Sequence, residues 1–329
     1  MKINKKITVP AVCALLFCLV LIPGCGPDSL SQPETRTVPH EGQWGIYGLD
    51  IESGDVRLIY SSPDELYASA LRLSNDGTKL TFAGKSGGQD NSSMEIFILD
   101  TDGNNPIQIT DNDFFDLYPA WSPDDSRIAF LSWRETDLDI YAMNADGSGE
   151  KKIHDSGYHD ADIDWAGNNI VFTSQFAIWK VNSDGTQAVQ VTDYPEQGEW
   201  GIANLPAGDY DPRLNPEGNK IVFERLEDTA NPNGGYNIFT INTDGSEETR
   251  LTDTSYSQGL ANWSHSGNRL VFMVGAIENA GKYDIYMMNA DGTENRSITP
   301  DYFPDIFLCH APGFSMDDSE ILFIGQWWE

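Results

Sequence analysis

Trp121–Ser148, WSPDDSRIAFLSWRETDLDIYAMNADGS, carries the pattern that decides the fold. WSPDDSR is a turn cluster. IAF is a short apolar strand that runs into a polar loop. DIYAMN alternates, with Ile140 and Ala142 on one face and Tyr141 and Met143 on the other, and ADGS turns the chain again. The first turn recurs as SNDGTKLTF at Ser74, AGNNIVF at Ala166, NPEGNKIVF at Asn215, SHSGNRLVF at Ser264 and SMDDSEILF at Ser315. Aligning Gly77, Asp125, Gly167, Gly218, Gly267 and Asp318 gives spacings of 48, 42, 51, 49 and 51 residues. Only Gly or Asp occupies these positions, as a hairpin with a left-handed tip residue requires.

The third strand recurs in the same register as GIYGLD, EIFILD, AIWKVN, NIFTIN and DIYMMN, starting at Gly45, Glu95, Ala177, Asn237 and Asp284. Each places Ile before an aromatic residue and ends in Asp or Asn. A turn and a fourth strand such as PIQIT, VQVT or TRLT follow. The unit is therefore four short strands, a-b-c-d, repeated about every 48 residues, a period that indicates β-propeller blades. The chain enters this pattern at Trp44 with a c–d hairpin and leaves it after an a–b pair. Five complete units and two halves predict an all-β, six-bladed propeller of four-stranded antiparallel blades, its ring closed by pairing of the N-terminal c–d strands with the C-terminal a–b strands.

These repeats resemble the TolB-type propeller. The resemblance rests on WSPDDSRIAF with DIYAMNADGS and on the pair WSHSGNRLVF and DIYMMNADGT, and it covers Trp44–Glu329. It implies a propeller in the bacterial cell envelope. TolB carries an α/β domain before its propeller, and the short stretch ahead of Trp44 predicts that this domain is missing here.

Met1–Cys25 reads as a secretion signal. Lys2, Lys5 and Lys6 form a basic start, and Ile7–Ile22 is apolar but short for a spanning helix. The segment ends in LIPGC, which resembles the bacterial lipoprotein lipobox and makes Cys25 the lipidation site. Lipid chains on Cys25 would hold the protein at a membrane, and they are its only expected membrane contact. Gly26 rather than Asp follows, which by the enterobacterial sorting pattern favours the periplasmic side of the outer membrane. Gly26–Gln43 has almost no large apolar residue and reads as a flexible tether, about 24 Å long as a coil. The expected organisation is thus 1–24 signal, 25–43 tether and 44–329 propeller.

Composition narrows the partners. The chain has 51 acidic and 20 basic residues, a net charge of −31, and the acids all lie beyond the signal. A surface this negative repels nucleic acid, so DNA and RNA are excluded, whereas a basic partner or cations are attracted. Cys13 and Cys18 leave with the signal and Cys25 is lipidated, so Cys309 alone remains and no intrachain disulfide is expected. The protein is expected to be a monomer.

Strand order places the a–b and c–d turns on one face and the b–c and d–a loops on the other. The first set is short and uniform. The second is long and irregular, and includes Ala83–Ser93, Glu224–Gly235, Asp301–Gly313 and Asp193–Pro212. Variable loops on a rigid scaffold favour binding, so this is the expected working face. Phe114, Phe115, Tyr118, Tyr158, Tyr194, Trp200, Tyr210, Tyr256, Tyr302 and Phe303 fall there. Asp113, Asp116, Asp160, Asp162, Glu199, Asp209, Asp211 and Asp305 are interspersed among them. Aromatic groups beside polar ones suit a protein interface and also sugar stacking. Residues just before each a strand, Tyr118, Asp162, Asp211, Gln258 and His310, are expected to ring the mouth of the central channel. Asp162 and Asp211 are the candidate ligands there for a hard cation such as Ca²⁺, and no other cofactor is expected.

Catalytic signatures do not hold up. GKSGG at Gly84–Gly88 matches G-x-S-x-G, but Ser86 lies in a loop between strands rather than on a strand-to-helix turn. His154 and His159 lie near Asp155 and Asp160 without a nucleophile–base arrangement. The favoured function is a non-enzymatic envelope scaffold that binds an envelope protein through its long-loop face. The alternatives are a carbohydrate or peptidoglycan-fragment binder and, less favoured, a metal-dependent enzyme acting on polysaccharide.

Overall fold

The apolar triplet after each recurring turn becomes the second strand of an antiparallel sheet. The computed structural model describes residues 44–61, 67–85, 94–193, 206–227, 235–254, 256–275, 283–304 and 307–327. The chain begins with β1 (Trp44–Asp50) and β2 (Val56–Tyr60). Then come β3 (Tyr67–Leu73), β4 (Lys79–Lys85), β5 (Glu95–Asp100) and β6 (Ile107–Gln108). The next four are β7 (Asp116–Trp121), β8 (Arg127–Trp133), β9 (Leu138–Asn144) and β10 (Lys151–His154). They are followed by β11 (Asp160–Ala166), β12 (Asn169–Ser174), β13 (Ala177–Asn182) and β14 (Val189–Gln190). β15 (Gly208–Leu214), β16 (Lys220–Leu226), β17 (Tyr236–Asn242) and β18 (Thr249–Arg250) form the next group. The last six are β19 (Ser257–Trp263), β20 (Arg269–Gly275), β21 (Tyr283–Asn289), β22 (Arg296–Ser297), β23 (Phe307–Phe314) and β24 (Glu320–Trp327).

Hydrogen bonding corrects the expected six-bladed architecture. The described strands form four four-stranded blades, β3–β6, β7–β10, β11–β14 and β15–β18, plus one eight-stranded sheet ordered β19-β20-β21-β23-β24-β1-β2, with β22 on β21. The physical reason is one lateral pair. β23 begins early, at Phe307, and Leu308 runs parallel to Tyr283 of β21. Turn spacing counts strands but cannot show such a sideways link. Within the large sheet β1 pairs with β24 over seven residues, from Trp44 opposite Gln326 to Asp50 opposite Glu320. The first strands β3, β7, β11, β15, β19 and β23 touch in that order, and β23 returns to β3.

The recurring aromatic residues explain themselves in the register. The Phe that closes each b-strand triplet faces the aromatic of the neighbouring c strand: Phe82 opposite Phe97, Phe130 opposite Tyr141, Phe223 opposite Phe239 and Phe272 opposite Tyr286. Their ring centroids lie 5.4, 6.0, 5.7 and 5.9 Å apart. Such pairs add about 0.5–1.5 kcal/mol each beyond the area they bury. The Ile that precedes each c-strand aromatic points to the other face and is fully buried at 46, 96, 140, 178, 238 and 285. A Thr two residues beyond each of the two-residue fourth strands β6, β14, β18 and β22 is a latch. Its hydroxyl accepts the N–H of the c-strand Ile, from Ile96 to Thr110, Ile178 to Thr192, Ile238 to Thr252 and Ile285 to Thr299, at 2.7–2.9 Å. A fourth strand of only two paired residues is thereby held without a full ladder.

Turn tips also join neighbouring sheets. Asp125 and Asp318 have positive φ, as their places predict, but their carboxylates do more than tolerate it. Asp125 accepts the Asn75 and Asp76 N–H groups, both at 2.8 Å. Asp318 accepts those of His265 and Ser266 at 2.7 and 3.0 Å. Two tips thus carry Asp where a carboxylate can tie one hairpin to the next.

Candidate functional site

All six inner strands break register at one point, and the residue there is left-handed: Ala70, Tyr118, Asp162, Asp211, Leu260 and Ala311, with φ between 50 and 55°. A bulge of this kind bends the strand and re-aims its side chains. In β11 and β15 it turns Asp162 and Asp211 inward, where both are buried. They meet Arg213, whose Nη2 lies 2.5 Å from Asp211 Oδ1 and whose Nη1 lies 3.4 Å from the Asp162 carbonyl. Asp164 accepts the Leu214 N–H at 2.8 Å. Glu224 of β16 reaches across to accept the Leu260 N–H at 3.1 Å. Gly259 makes that reach possible, because a Cβ there would stand 1.8 Å from Glu224 Oε2. Arg72 of β3 completes the cluster, feeling the charges of Arg213, Asp164, Asp211 and Asp162.

Burial dominates the electrostatics of this cluster. It pushes the Asp162 carboxyl up to about 7, assisted by the charge of Asp211, against the pull of Arg213 and a hydrogen bond from Tyr118. Glu224 is pushed well above the usual carboxylate range, first by burial and then by Asp211 and Asp162. Burial works against the Arg213 charge, but Asp211, Asp164 and Asp162 outweigh it and raise its pKa. Burial and the neighbouring Arg213 push Arg72 down to about 10. The cluster can therefore hold or release a proton near neutral pH. It also keeps unmet hydrogen-bonding capacity: Asp211 Oδ2, Glu224 Oε1, Arg72 Nη2 and Gln258 Oε1 are buried without a hydrogen bond.

A second acidic cluster lies at the outer edge of β9 and β10. Glu135, Asp139 and Asp155 are close enough together to hold a metal ion. The Lys152 ammonium already occupies their centre, 3.5, 2.8 and 3.1 Å from the three carboxylates. It meets the charge that a cation would otherwise meet.

Comparison with known proteins now bears on this geometry. The PD40 family model, TolB beta propeller domain, matches residues 38–199. The solved structure of a TolB-assigned protein from Agrobacterium tumefaciens superposes with a TM-score of 0.66 at 18% identity, covering 88% of this chain and all of that one. Residues 38–199 are a TolB-like β-propeller repeat segment. An uncharacterised Agrobacterium fabrum protein, Atu1656, is 27% identical over 190 residues, 54% of this chain and 61% of that one. The uncharacterised Bacillus subtilis peptidase YuxL is 29% identical over 128 residues, 37% of this chain and 19% of its own. The chain thus spans less than two thirds of either curated relative.

The residues singled out from sequence divide sharply within this TolB-like propeller. Tyr118, Asp162, Asp211, Gln258 and His310 lie inside β7, β11, β15, β19 and β23, not before them. Inner strands of six to eight residues, each with a bulge, extend further toward the loops than their apolar runs suggest. Tyr118, Asp162 and Asp211 share the bulge position. Gln258 and His310 precede it by two residues and one, where Leu260 and Ala311 stand instead. Burial pushes the His310 imidazole down to about 4. The cation expected on Asp162 and Asp211 would compete with Arg213, which sequence reasoning did not place there.

Of the aromatics assigned to a working face, Phe114, Tyr158 and Tyr256 are exposed. The Arg134 guanidinium lies 5.5 Å from the centre of the Phe114 ring. Tyr210 and Phe303 are core residues instead. The Tyr210 hydroxyl donates to the Pro206 carbonyl at 2.6 Å, and Phe303 packs edge-on to Phe307 at 5.0 Å. Phe115 and Tyr118 are half-buried against the core around Leu117 and Phe130, and Tyr302 is half-buried against that around Phe323. The acids Asp116, Asp160 and Asp209, assigned to the same surface, are fully buried at the starts of β7, β11 and β15. Each has a local partner: Asn112 for Asp116, Ser156 for Asp160 and Arg225 for Asp209. Cys25, Ser86, Tyr194, Glu199, Trp200 and Asp305 lie outside the described residues. Sequence reasoning missed Arg72, Asp164, Arg213 and Glu224. Their charge in strands of otherwise buried pattern was the available signal.

Proposed function

We propose that this chain is a lipid-anchored cell-envelope protein whose propeller is a non-enzymatic scaffold for another protein, bound on the face of the b–c and d–a loops. The observation that carries the reading is the exposure of Phe114, Tyr158 and Tyr256, all in d–a connections, on a TolB-like propeller. Large exposed aromatics beside charged groups are the usual anchors of protein interfaces. The lipobox-like LIPGC at Cys25 supports the anchor and the envelope location. The −31 net charge supports a partner with a basic surface.

The experiment is affinity capture from detergent-solubilised membranes with the tagged full chain and with an F114A/Y158A/Y256A variant. One abundant protein, lost from the variant, is the expected result. The same protein retained by the variant moves the interface off this face, and no protein with either chain removes the scaffold reading. Metabolic labelling with palmitate, expected for the native chain and absent from C25S, tests the anchor separately.

A further inference from the structure

A groove of about 640 Å³ opens between the β15–β18 blade and the hairpins of β19–β22, on the side of the short turns and away from the long loops. It has a meaning only when compared with its equivalents around the ring. The residue three places past the bulge of an inner strand meets the first residue of the b strand in the preceding repeat. At two such junctions that first residue is Arg, and it covers an aromatic ring. Arg127 lies 4.7 Å above Trp165, and Arg269 lies 5.1 Å above Phe314. Arg269 also donates to the Asp318 carbonyl at 2.8 Å. The covered rings are closed to solvent, Trp165 at 5% exposure and Phe314 at 3%.

Two junctions pair Lys with Trp: Lys79 with Trp121, whose ring is closed at 6% exposure, and Lys220 with Trp263. Among the described residues no cation stacks on Trp263, and its ring is half-buried and lines the groove. Its Nε1–H is committed to the Arg213 carbonyl at 3.1 Å, which holds the indole in place. Glu217, Asp291, His265 and Lys220 itself line the same groove. A rigid indole face with carboxylates beside it matches a planar guanidinium, which stacks and donates in its own plane. The net charge of −31 favours approach of a basic segment.

We propose that the groove beside Trp263 is a slot for an arginine side chain presented by a basic segment of a partner protein. The incoming guanidinium takes the place over Trp263 that Arg127 and Arg269 hold over their own rings. This rests on the scaffold reading only for the existence of a protein partner. The slot lies away from the long-loop face, so the two stand or fall separately.

The test is a titration of the full chain with the peptide acetyl-Gly-Gly-Arg-Gly-Gly-amide, followed by the indole N–H resonances. The Trp263 signal is assigned by its loss in W263F, and 150 mM salt screens diffuse attraction. Expected is a saturable shift of that signal, with lysine and citrulline peptides binding at least tenfold more weakly. K220R should place an arginine in the slot from within and weaken the peptide at least tenfold, without lowering the melting temperature. Equal binding of the lysine peptide, or unchanged binding to K220R, overturns the proposal. So does a shift of the Trp263 signal by chitotriose while the arginine peptide leaves it unmoved, which would make the groove a sugar site.

Discussion

Gly185 sits at a c–d turn with φ +86°, and a Cβ added there would lie 2.1 Å from the Ile153 carbonyl of the preceding blade. Gly54 has φ +73° with nothing within 4 Å. The two separate backbone strain from close approach. Gly54→Ala should cost about 1 kcal/mol, the left-handed penalty alone. Gly185→Ala should cost about 3 kcal/mol or more, because a sheet must shift as well. Urea unfolding of both variants checks the difference. Asp162 makes a second prediction at this scale. Its carboxyl is pushed up to about 7, and that of Asp160 likewise, in both cases chiefly by burial. Each keeps its proton in the folded chain over a range where the unfolded chain has lost it. Their contribution is full below the unfolded value near 4 and is lost as pH rises through 7. Stability should therefore fall between pH 5 and 7, by about 1.4 kcal/mol per pH unit for each retained proton. Asp162→Asn should flatten that slope in urea titrations at pH 5, 6 and 7, and an unchanged slope would show that Asp162 ionises normally.

The two-residue fourth strands depend on one hydroxyl each. Thr192 accepts the Ile178 N–H at 2.9 Å in a buried position. Thr192→Val keeps the shape and β-branching but leaves that N–H without its acceptor. The expected loss is about 1–3 kcal/mol, the cost of an unmet buried polar group. Thr192→Ser keeps the hydroxyl and should recover most of it. Hydrogen exchange at Ile178, faster in the Val variant than in the Ser variant, would place the effect at this bond. This latch is why a Thr follows each two-residue fourth strand, a recurrence visible in the sequence whose reason was not.

At the scale of the whole molecule, β1 and β2 are the earliest described strands, and β1 pairs with both β2 and the last strand, β24. Tyr47 stacks on Phe323 at 5.6 Å and meets Phe307 edge-on at 5.8 Å, so aromatic packing crosses the closure as well. Removing residues 44–60 would leave β24 with an open edge and Phe323 without its cover. Such edges pair with other chains. The truncated protein should lose its single cooperative thermal transition and aggregate, measured by calorimetry and light scattering. A shortened chain that still melts cooperatively as a monomer would show that β1 and β2 are dispensable. Y47A in the full chain is the milder variant, expected to cost about 3–5 kcal/mol as a buried large-to-small change.

The repeat, its turns and its core were legible in the sequence because they are local. A hairpin tip needs Gly or Asp within a few residues of its strands, and a half-buried strand shows its period of two in any stretch such as DIYAMN. The net charge was legible because it is a count of residues. What joins sheets was not, because it depends on residues far apart in the chain. The Tyr283–Leu308 pair that merges the last strands into one eight-stranded sheet follows from where β23 starts, not from any repeat spacing. The bulges at Asp162 and Asp211 carry no glycine to announce them, yet they bury both acids near Arg213, which pairs with the Asp211 carboxylate. The fate of the loop aromatics followed from packing as well: Phe114 stayed exposed while Tyr210 and Phe303 became core. Trp263 has Lys where Trp165 has Arg across the junction, and only the folded ring brings each pair together.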